Sequence, residues 1–338
     1  MTDTPLIDPD VAAVIREVVA DAAEAADGGV GGQAGLWDQL AELGLARLTA
    51  PEASGGSGAG WRESALLIGE LAACGLALPA GEHDLLAGWL LRTAGLACDD
   101  RRRTVAVLED GTGAQVPFAS SSELVACLWH DGQEWRVSDL PAAGLTITPG
   151  VNLAGEPRDT VTVPAELLGS GTVVGADVPS LLELRAALLR AIQIAGALEA
   201  AVSLTVEHVT TRKQFGRPLA AFQAVQHLLA DMAAEAALAR AAVDAAVDAA
   251  AGTGSPDAFR VAVARSCAGH AASVVVRHAH QLLGAIGTTQ EHALHRLTLP
   301  ALAWRAEYGT TEHWDQQVAA AAAAAGPDGL WSIITAAP

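Results

Sequence analysis

Helical periodicity over long stretches dominates the C-terminal half of the chain. Apolar side chains recur at the spacing of one helix face at Leu184, Leu188, Ile192, Ala195, Val202, Val206 and Val209. Similar patterns predict further helices at 218–250, 255–283 and 311–325. Ser255 and Pro256 have the N-cap and first-turn arrangement for the third of these helices. Four long antiparallel helices of this kind predict a bundle.

Residues 8–97 are also helical in pattern, but Gly-rich breaks interrupt them at "DGGVGGQAG" and "PEASGGSGAG". Between the breaks, Leu36, Leu40 and Leu43 are spaced as one face of a short helix. After them, "WRESALLIGELAACG" predicts an amphipathic helix that stops at Gly75. The N-terminal region is therefore predicted to be a helical domain.

The middle of the chain is predicted to form strands. "TVAVL", "LVACLWH", "EWRVSDL", "LTITP" and "DTVTVP" are short, β-branched and aromatic-rich segments, and Asp131-Gly132 is placed as a hairpin turn. This predicts a small antiparallel β domain. The fold class is α+β, mostly α, with a helical domain at 1–102, a shortened β domain at 103–177 and a four-helix bundle at 178–338.

Composition excludes several classes of partner. Hydrophobic residues make up 51% and charged residues 17% of the chain, so disorder is excluded for most of its length. The net charge of −19 argues against nucleic acid or an anionic membrane as a partner. Four scattered cysteines, without metal-site spacing, indicate buried free thiols and no metal. No signal-peptide core or apolar run of membrane length is recognised, so we expect a cytoplasmic protein.

The stretch "TRKQFGRPLAAFQAVQHLLADM" places Arg212 and the only lysine of the chain, Lys213, at the start of a predicted helix. Together with the order of helices, β domain and bundle, it resembles the acyl-CoA dehydrogenase family of flavoproteins over nearly the whole chain. The resemblance implies that Arg212, Phe215 and Gln223 contact the FAD of a neighbouring subunit. Arg212 would bind the pyrophosphate, since a guanidinium fork suits a diphosphate.

A second motif, "HQLLGAIGTTQE", resembles the Gln-x-x-Gly-Gly-x-Gly turn of the same family. Gln281, Gly284 and Gly287 match this turn, whereas Ala285 replaces its middle glycine. The resemblance implies that these residues also receive the neighbour's dinucleotide. Backbone amides of Gly-rich turns are natural phosphate receivers.

The catalytic base of the family is missing from both positions where it is known. The reaction removes a proton alpha to the thioester while hydride leaves the beta carbon for the flavin, so it needs a carboxylate base. Tyr308 stands where the base begins a Glu-Gly-Thr segment, and Ala186 occupies the alternative position on the first bundle helix. Glu307 and Glu183 lie nearby in sequence, but a shift of one residue re-aims a side chain.

Two further departures point the same way. Glu312 replaces a Gln that usually contacts the flavin cofactor, and the family's own-subunit flavin and substrate loops are missing from the β domain.

No Glu-x-x-His pair of a di-iron bundle occurs in the sequence. We therefore interpret four histidines as core or surface residues: His208, His270, His278 and His280.

The chain resembles the degenerate subunits of actinobacterial heteromeric acyl-CoA dehydrogenases, which oxidise steroid side-chain CoA thioesters. By that resemblance it is the non-catalytic half of an α2β2 assembly, sharing FAD with a catalytic partner subunit that acts on the acyl-CoA. Two alternatives remain open. The first is a self-sufficient dehydrogenase in which Glu307 or Glu183 is the base. The second is a flavin-free interaction subunit that kept the bundle for assembly.

Overall fold

The computed structural model describes residues 7–27 and 35–335. The first six residues and most of the predicted break "DGGVGGQAG" lie outside the described residues. The chain divides into two compact units. The first unit comprises Met1–Leu67 and Ala77–Ala186, and the second comprises Ile68–Leu76 and Ala187–Pro338. The three-domain division predicted from the sequence stays a prediction.

The described part of the N-terminal region is mainly helical. Its helices are α1 (Pro9–Asp27), α2 (Leu36–Glu42), α3 (Trp61–Ala73), a π-helical turn (Glu82–Gly88) and α4 (Trp89–Thr93). Leu36 and Leu40 are buried as predicted, but Leu43 is 51% exposed. The prediction for Leu43 was wrong because α2 ends at Glu42, so Leu43 leaves the helical face.

The β region forms two small sheets. Its strands are β1 (Arg103–Leu108), β2 (Thr112–Pro117), β3 (Leu124–His130), β4 (Trp135–Pro141), β5 (Thr146–Thr148), β6 (Arg158–Thr162) and β7 (Thr172–Val174), with the short helix α5 (Ala165–Leu168) between the last two. One sheet has the order β1-β3-β4-β7 and the other β2-β6-β5. All pairs are antiparallel as predicted except β1–β3, which is parallel because β2 leaves for the other sheet.

The β3–β4 hairpin turns at the predicted Asp131-Gly132 pair. The carboxylate Oδ1 of Asp131 accepts hydrogen bonds from the backbone N–H groups of Gln133 and Glu134, both at 2.8 Å. This Asx-type closure stabilises the loop. The hairpin prediction is therefore confirmed.

Polar side chains are buried in the π-helical turn of the first unit. Asp84 accepts hydrogen bonds from the hydroxyls of Thr49 and Ser64, each at 2.8 Å, and burial raises its pKa. His83 is fully buried and lies edge-on to Trp37, with 5.0 Å between ring centroids. Burial, together with the positive charges of Arg103 and Arg47, lowers the pKa of His83 to about 3. His83 is therefore held as a neutral imidazole.

The second unit is built on long helices. They are α6 (Val178–Thr211), of which residues from Ala187 belong to this unit, α7 (Gln223–Thr253), α8 (Ala258–Leu283), α9 (His295–Trp304) and α10 (Thr311–Thr335), which kinks at Gly326. Their core is rich in alanine, and glycine allows close approach. A Cβ on Gly196 would lie 2.4 Å from the carbonyl oxygen of Gly69. The predicted four-helix bundle and the mostly helical fold class are confirmed.

Two details of the helices differ from the sequence predictions. The N-cap of α8 is Asp257 and not Ser255: its Oδ1 accepts a hydrogen bond from the backbone N–H of Arg260 at 2.9 Å. Asp257 is the N-cap because its carboxylate can reach the third N–H of the helix.

The helix α6 also has the length and apolar composition of a membrane span, contrary to the sequence prediction, but 67% of its apolar window is buried inside the protein.

The four cysteines are free, as predicted, but only Cys127 is buried. Cys74 is exposed, whereas Cys98 and Cys267 are partly buried. The predicted burial is therefore confirmed for Cys127 and was wrong for Cys74, Cys98 and Cys267, because these three lie at or near the surface of their elements. Among the described residues, no group of histidine, cysteine and carboxylate side chains could hold a metal ion.

Candidate functional site

A cavity of about 650 Å³ lies in the second unit, where α6 ends, α7 begins and α8 ends. It brings together the two sequence motifs, which are far apart in the chain. Arg212 follows the last residue of α6, Gln281 lies in the last turn of α8, and Gly284 ends that helix. Gly284 has φ +64 and ψ −143, a conformation that a residue with a Cβ rarely adopts.

The polar side chains of this cavity have no partner among the residues that the structure describes. Arg212, Gln214, Gln281 and His208 all line the cavity. None of the four side chains makes a hydrogen bond or an ion pair with any residue in 7–27 or 35–335. No carboxylate belongs to the described lining either, although the chain has 39 acidic and 20 basic residues. The described lining is therefore positively charged within an acidic protein, and such a lining suits an anion.

The remaining wall is aliphatic. It is formed by Leu219 just before α7, by Val225 and Leu228 in the first turns of α7, and by Leu282, Leu283 and Ile286 around the end of α8. A guanidinium with uncharged hydrogen-bonding groups on one wall and aliphatic side chains on the other suits a ligand with an anionic part and an apolar part. The diphosphate and the adenosine of FAD have these properties, so the residues present fit this cofactor.

Phe215 lies at the tip of a two-stranded hairpin made of β8 (Lys213–Gln214) and β9 (Arg217–Pro218). Its side chain is 89% exposed and its φ is +51. The ring of Phe215 packs edge-on against the ring of Phe222, with 6.1 Å between their centroids. The guanidinium carbon of Arg217 lies 4.0 Å from the centroid of the Phe222 ring. The hairpin thus holds a large aromatic side chain out into solvent.

Besides Phe215, two more of the predicted cofactor residues are not in the cavity lining. Gln223 is the exposed first residue of α7. Gly287 is buried, and a Cβ there would lie 2.8 Å from Cβ of Leu283, so close packing alone explains this glycine. Ala285, which replaces the middle glycine of the motif, does line the cavity.

Tyr308, which the sequence analysis placed at the expected position of the base, lies in a tight turn between α9 and α10. Its φ is +51, and the following Gly309 has φ +96. The carbonyl oxygen of Tyr308 accepts a hydrogen bond from Nε1 of Trp314 at 3.1 Å. The guanidinium of Arg190 lies 5.5 Å from the centre of the Tyr308 ring. The alternative base position, Ala186, is 1% exposed and carries no ionisable group.

Glu307, the nearest carboxylate in sequence, is already engaged. Its Oε2 accepts a hydrogen bond from Nε of Arg190 at 2.7 Å, and Arg190 is fully buried. Nη1 of Arg190 also donates to Gln193 at 2.6 Å. A carboxylate held by a buried guanidinium is stabilised as the anion and is a poor proton acceptor. Glu183 is an exposed residue of α6, and Glu312 is an exposed residue in the first turn of α10.

Arg265 of α8 holds the same turn through its backbone. Its guanidinium donates to the carbonyl oxygens of four residues: Trp304 at 3.3 Å, Arg305 at 3.3 Å, Glu307 at 2.7 Å and Gly309 at 2.9 Å. Arg265 is 2% exposed, and burial lowers its pKa to about 10. These bonds satisfy carbonyl groups that the end of α9 leaves without helical partners.

Sequence reasoning missed several of these residues. His208, interpreted as a core or surface histidine, lines the cavity one helical turn before Arg212, and this spacing was the available signal. Arg190 was signalled by its place within an apolar helix face. The clamp formed by Arg265 had no local signal, because its partners lie about 40 residues later in the chain.

The N-terminal helices, two small sheets and bundle of long helices are consistent with the acyl-CoA dehydrogenase fold. The chain belongs to the acyl-CoA dehydrogenase family: residues 5–97 match its N-terminal domain and residues 183–323 its C-terminal domain. Members of this family are oxidoreductases that generally bind FAD.

Relatives support this assignment over most of the chain. Acyl-CoA dehydrogenase IpdE2 of Mycolicibacterium smegmatis is 30% identical over 265 residues, which cover 76% of this chain and 78% of that protein. Acyl-CoA dehydrogenase FadE27 of Mycobacterium tuberculosis is 27% identical over 318 residues, covering 79% and 82% of the two chains.

Solved structures show the same fold. The ChsE4-ChsE5 complex from Mycobacterium tuberculosis has a TM-score of 0.82 at 22% identity, with 95% of this chain and 98% of the other covered. The Tcur3481-Tcur3483 steroid ACAD G363A variant has a TM-score of 0.80 at 23% identity, with coverage of 93% and 97%. Butyryl-CoA dehydrogenase from Megasphaera elsdenii has a TM-score of 0.78 at 20% identity, with coverage of 94% and 99%.

Proposed function

We propose that this chain is the non-catalytic subunit of a heteromeric, FAD-dependent acyl-CoA dehydrogenase. The observation that carries the proposal is the cavity lined by Arg212 and Gln281, whose side chains have no partner in 7–27 or 35–335, while Tyr308 and Ala186 stand where the family resemblance expects a base. The chain keeps the residues for a dinucleotide and lacks a carboxylate for the chemistry.

In this proposal the chain supplies the diphosphate-binding side of an FAD site whose catalytic base belongs to a partner subunit. Arg212 binds the diphosphate, Gln281 and the Gly284 turn complete the wall, and Phe215 packs against the flavin region. When bound, FAD supplies the acceptor for the hydride that leaves the beta carbon of the acyl-CoA. The two heteromeric complexes among the structural neighbours support a partner of this kind.

The substrate class follows from the same neighbours. One of these complexes is described as a steroid ACAD, so we propose a bulky steroid-derived acyl-CoA as the substrate and an α2β2 assembly in the cytoplasm. A self-sufficient dehydrogenase is less well supported, because Glu307 is bound to Arg190 and Glu183 is exposed. A flavin-free interaction subunit would not need the unpartnered Arg212.

The test is the FAD content of the complex purified with its partner subunit. Arg212→Ala is expected to weaken FAD binding about ten- to a hundredfold, since a charge-assisted hydrogen bond contributes roughly 1.5–3 kcal/mol. Arg212→Lys recovers only part of this, because an ammonium cannot fork across two oxygens. Lys213→Ala is the matched control: Lys213 is exposed and does not line the cavity. Unchanged FAD content in Arg212→Ala would contradict the proposal.

A further inference from the structure

The imidazole of His208 lies on the wall of the cavity without a protein ligand. It is partly buried, lines the cavity together with Arg212, and makes no hydrogen bond with the described residues. Residues 208 and 212 are four apart, across the last turn of α6, so both side chains lie on one face of the helix. An anion held by Arg212 therefore lies within the reach of His208.

We propose that His208 is a second ligand of the dinucleotide diphosphate and binds it as an imidazolium, so that cofactor affinity rises as the pH falls. This inference rests on the proposed function, because the diphosphate is the anion assigned to this cavity. A protonated histidine donates from both ring nitrogens and is a charge-assisted partner for a phosphate oxygen.

The charged groups near His208 are cations or potential cations. Arg212 comes from α6 itself, and His292 comes from the segment before α9. The start of α7 and the Gly284 turn contribute no charged residue to the cavity lining, and α8 contributes the neutral Gln281. A bound diphosphate therefore brings a negative charge into a described lining that holds no carboxylate.

The direction of the pH dependence follows from these neighbours. In the free chain burial, His292 and Arg212 lower the pKa of His208 below its ordinary value, so the imidazole is neutral at neutral pH. A bound diphosphate raises the pKa of His208, because it favours the charged form. Affinity is then unaffected by His208 at high pH, increases as the pH falls through the raised pKa, and levels off below the lowered one.

The experiment measures binding of ADP-ribose by titration calorimetry to the complex of this chain with its partner subunit, from which FAD has been removed. The diphosphate of ADP-ribose is a diester that carries no titrating proton between about pH 5.5 and 8.5, so any change comes from the protein. We expect the native complex to bind about three- to tenfold more tightly at the acidic end of this range, since each unit by which binding raises the pKa corresponds to about tenfold.

Three variants separate the possible outcomes. His208→Gln is expected to bind with no pH dependence, and His208→Arg to bind tightly at every pH. His227→Gln is the matched control, because His227 is exposed on α7 and does not line the cavity; it should behave as the native complex does. If His208→Gln keeps the native pH dependence, or if His227→Gln loses it, the inference is wrong.

The two proposals fail in distinguishable ways. If Arg212→Ala abolishes ADP-ribose binding while His208→Gln leaves the pH profile unchanged, only the role of His208 is overturned. If Arg212→Ala leaves binding unchanged, or if the native complex does not bind ADP-ribose at all, both the proposed diphosphate site and the role of His208 are wrong.

Discussion

The Nε of Arg190 donates a hydrogen bond to Oε2 of Glu307 at 2.7 Å, between residues 117 positions apart in the chain. Arg190 is fully buried, and the side chain of Glu307 is 19% exposed. The pair lies directly beside Tyr308, the residue at the vacant base position. The carboxylate nearest to that position therefore neutralises a buried guanidinium and is not available to accept a proton.

Glu307→Gln should destabilise the chain, because it leaves the guanidinium of Arg190 buried without its counter-charge. We expect the free energy of unfolding to fall by about 2–4 kcal/mol, somewhat less than for a fully buried pair, since Glu307 is partly exposed. Urea denaturation measures the change. Glu183→Gln, at an exposed carboxylate of α6, should stay within about 0.5 kcal/mol of the native chain. Equal stability of the two variants would show that the ion pair contributes nothing.

Installing a carboxylate at the base position should not create an active site. Tyr308→Glu places the new carboxylate next to the guanidinium of Arg190, which would bind it, and the β-domain loops that hold flavin and substrate are still missing. The phenol it replaces is itself a poor base at neutral pH, with an ordinary pKa near 10. Acyl-CoA turnover per FAD in the reconstituted complex is the measurement. A doubling of active sites in the variant would mean that only the base was lost.

The chain purified alone should carry little FAD and show no acyl-CoA dehydrogenase activity. Its cavity supplies one wall of the proposed site, and Phe215 remains 89% exposed in the isolated chain. The comparison is the flavin absorbance of the lone chain and of the chain purified together with its partner subunit. Stoichiometric flavin and turnover in the lone chain would support the self-sufficient alternative instead.

The stability of the chain should fall in mildly acidic solution because of His83. Its pKa is lowered to about 3 in the folded state from an ordinary 6.5, so below 6.5 the unfolded chain binds a proton that the folded chain does not. The stabilising effect of the neutral His83 is complete above pH 6.5 and is lost as the pH falls towards 3, by up to about 1.4 kcal/mol per pH unit.

Asp84 acts in the opposite direction. Burial raises the pKa of Asp84, so its stabilising contribution to the folded state is lost as the pH rises above the ordinary value of 3.8. The role of His83 is therefore isolated by the difference between the native chain and His83→Leu, measured by urea denaturation at several pH values. The variant should lose less stability on acidification than the native chain. His227→Gln, at an exposed histidine, should follow the native profile; an unchanged profile in His83→Leu would contradict the prediction.

Local patterns predicted the elements of this fold better than their ends or their partners. The spacing of Leu188 and Ile192 indicated a buried helix face, and Asp131-Gly132 indicated a hairpin; both are confirmed because the signals are local. The N-cap at Asp257 was missed because two capping patterns overlap within three residues. The parallel β1–β3 pair was missed because it depends on which sheet β2 joins.

The site was predictable only where both parts of a motif carry their own signal. Arg212 and Gln281 were each recognised from neighbouring residues, and the fold brings them to one cavity. The sequence gave no indication that Arg190 and Glu307 pair, because no local pattern near either residue predicts a partner more than a hundred positions away. A pairing of this kind is decided by helix packing, which a single sequence does not display.

The clamp on the turn after α9 has a consequence for the order in which the chain acquires its structure. Four carbonyl groups between Trp304 and Gly309 take their donors from one side chain on α8, so this turn cannot reach its final shape before α8 has formed and docked. Arg265 is synthesised before the turn, so it has already left the ribosome when the turn emerges. The turn is therefore a late, long-range event in folding, and its formation reports that α8 is already in place.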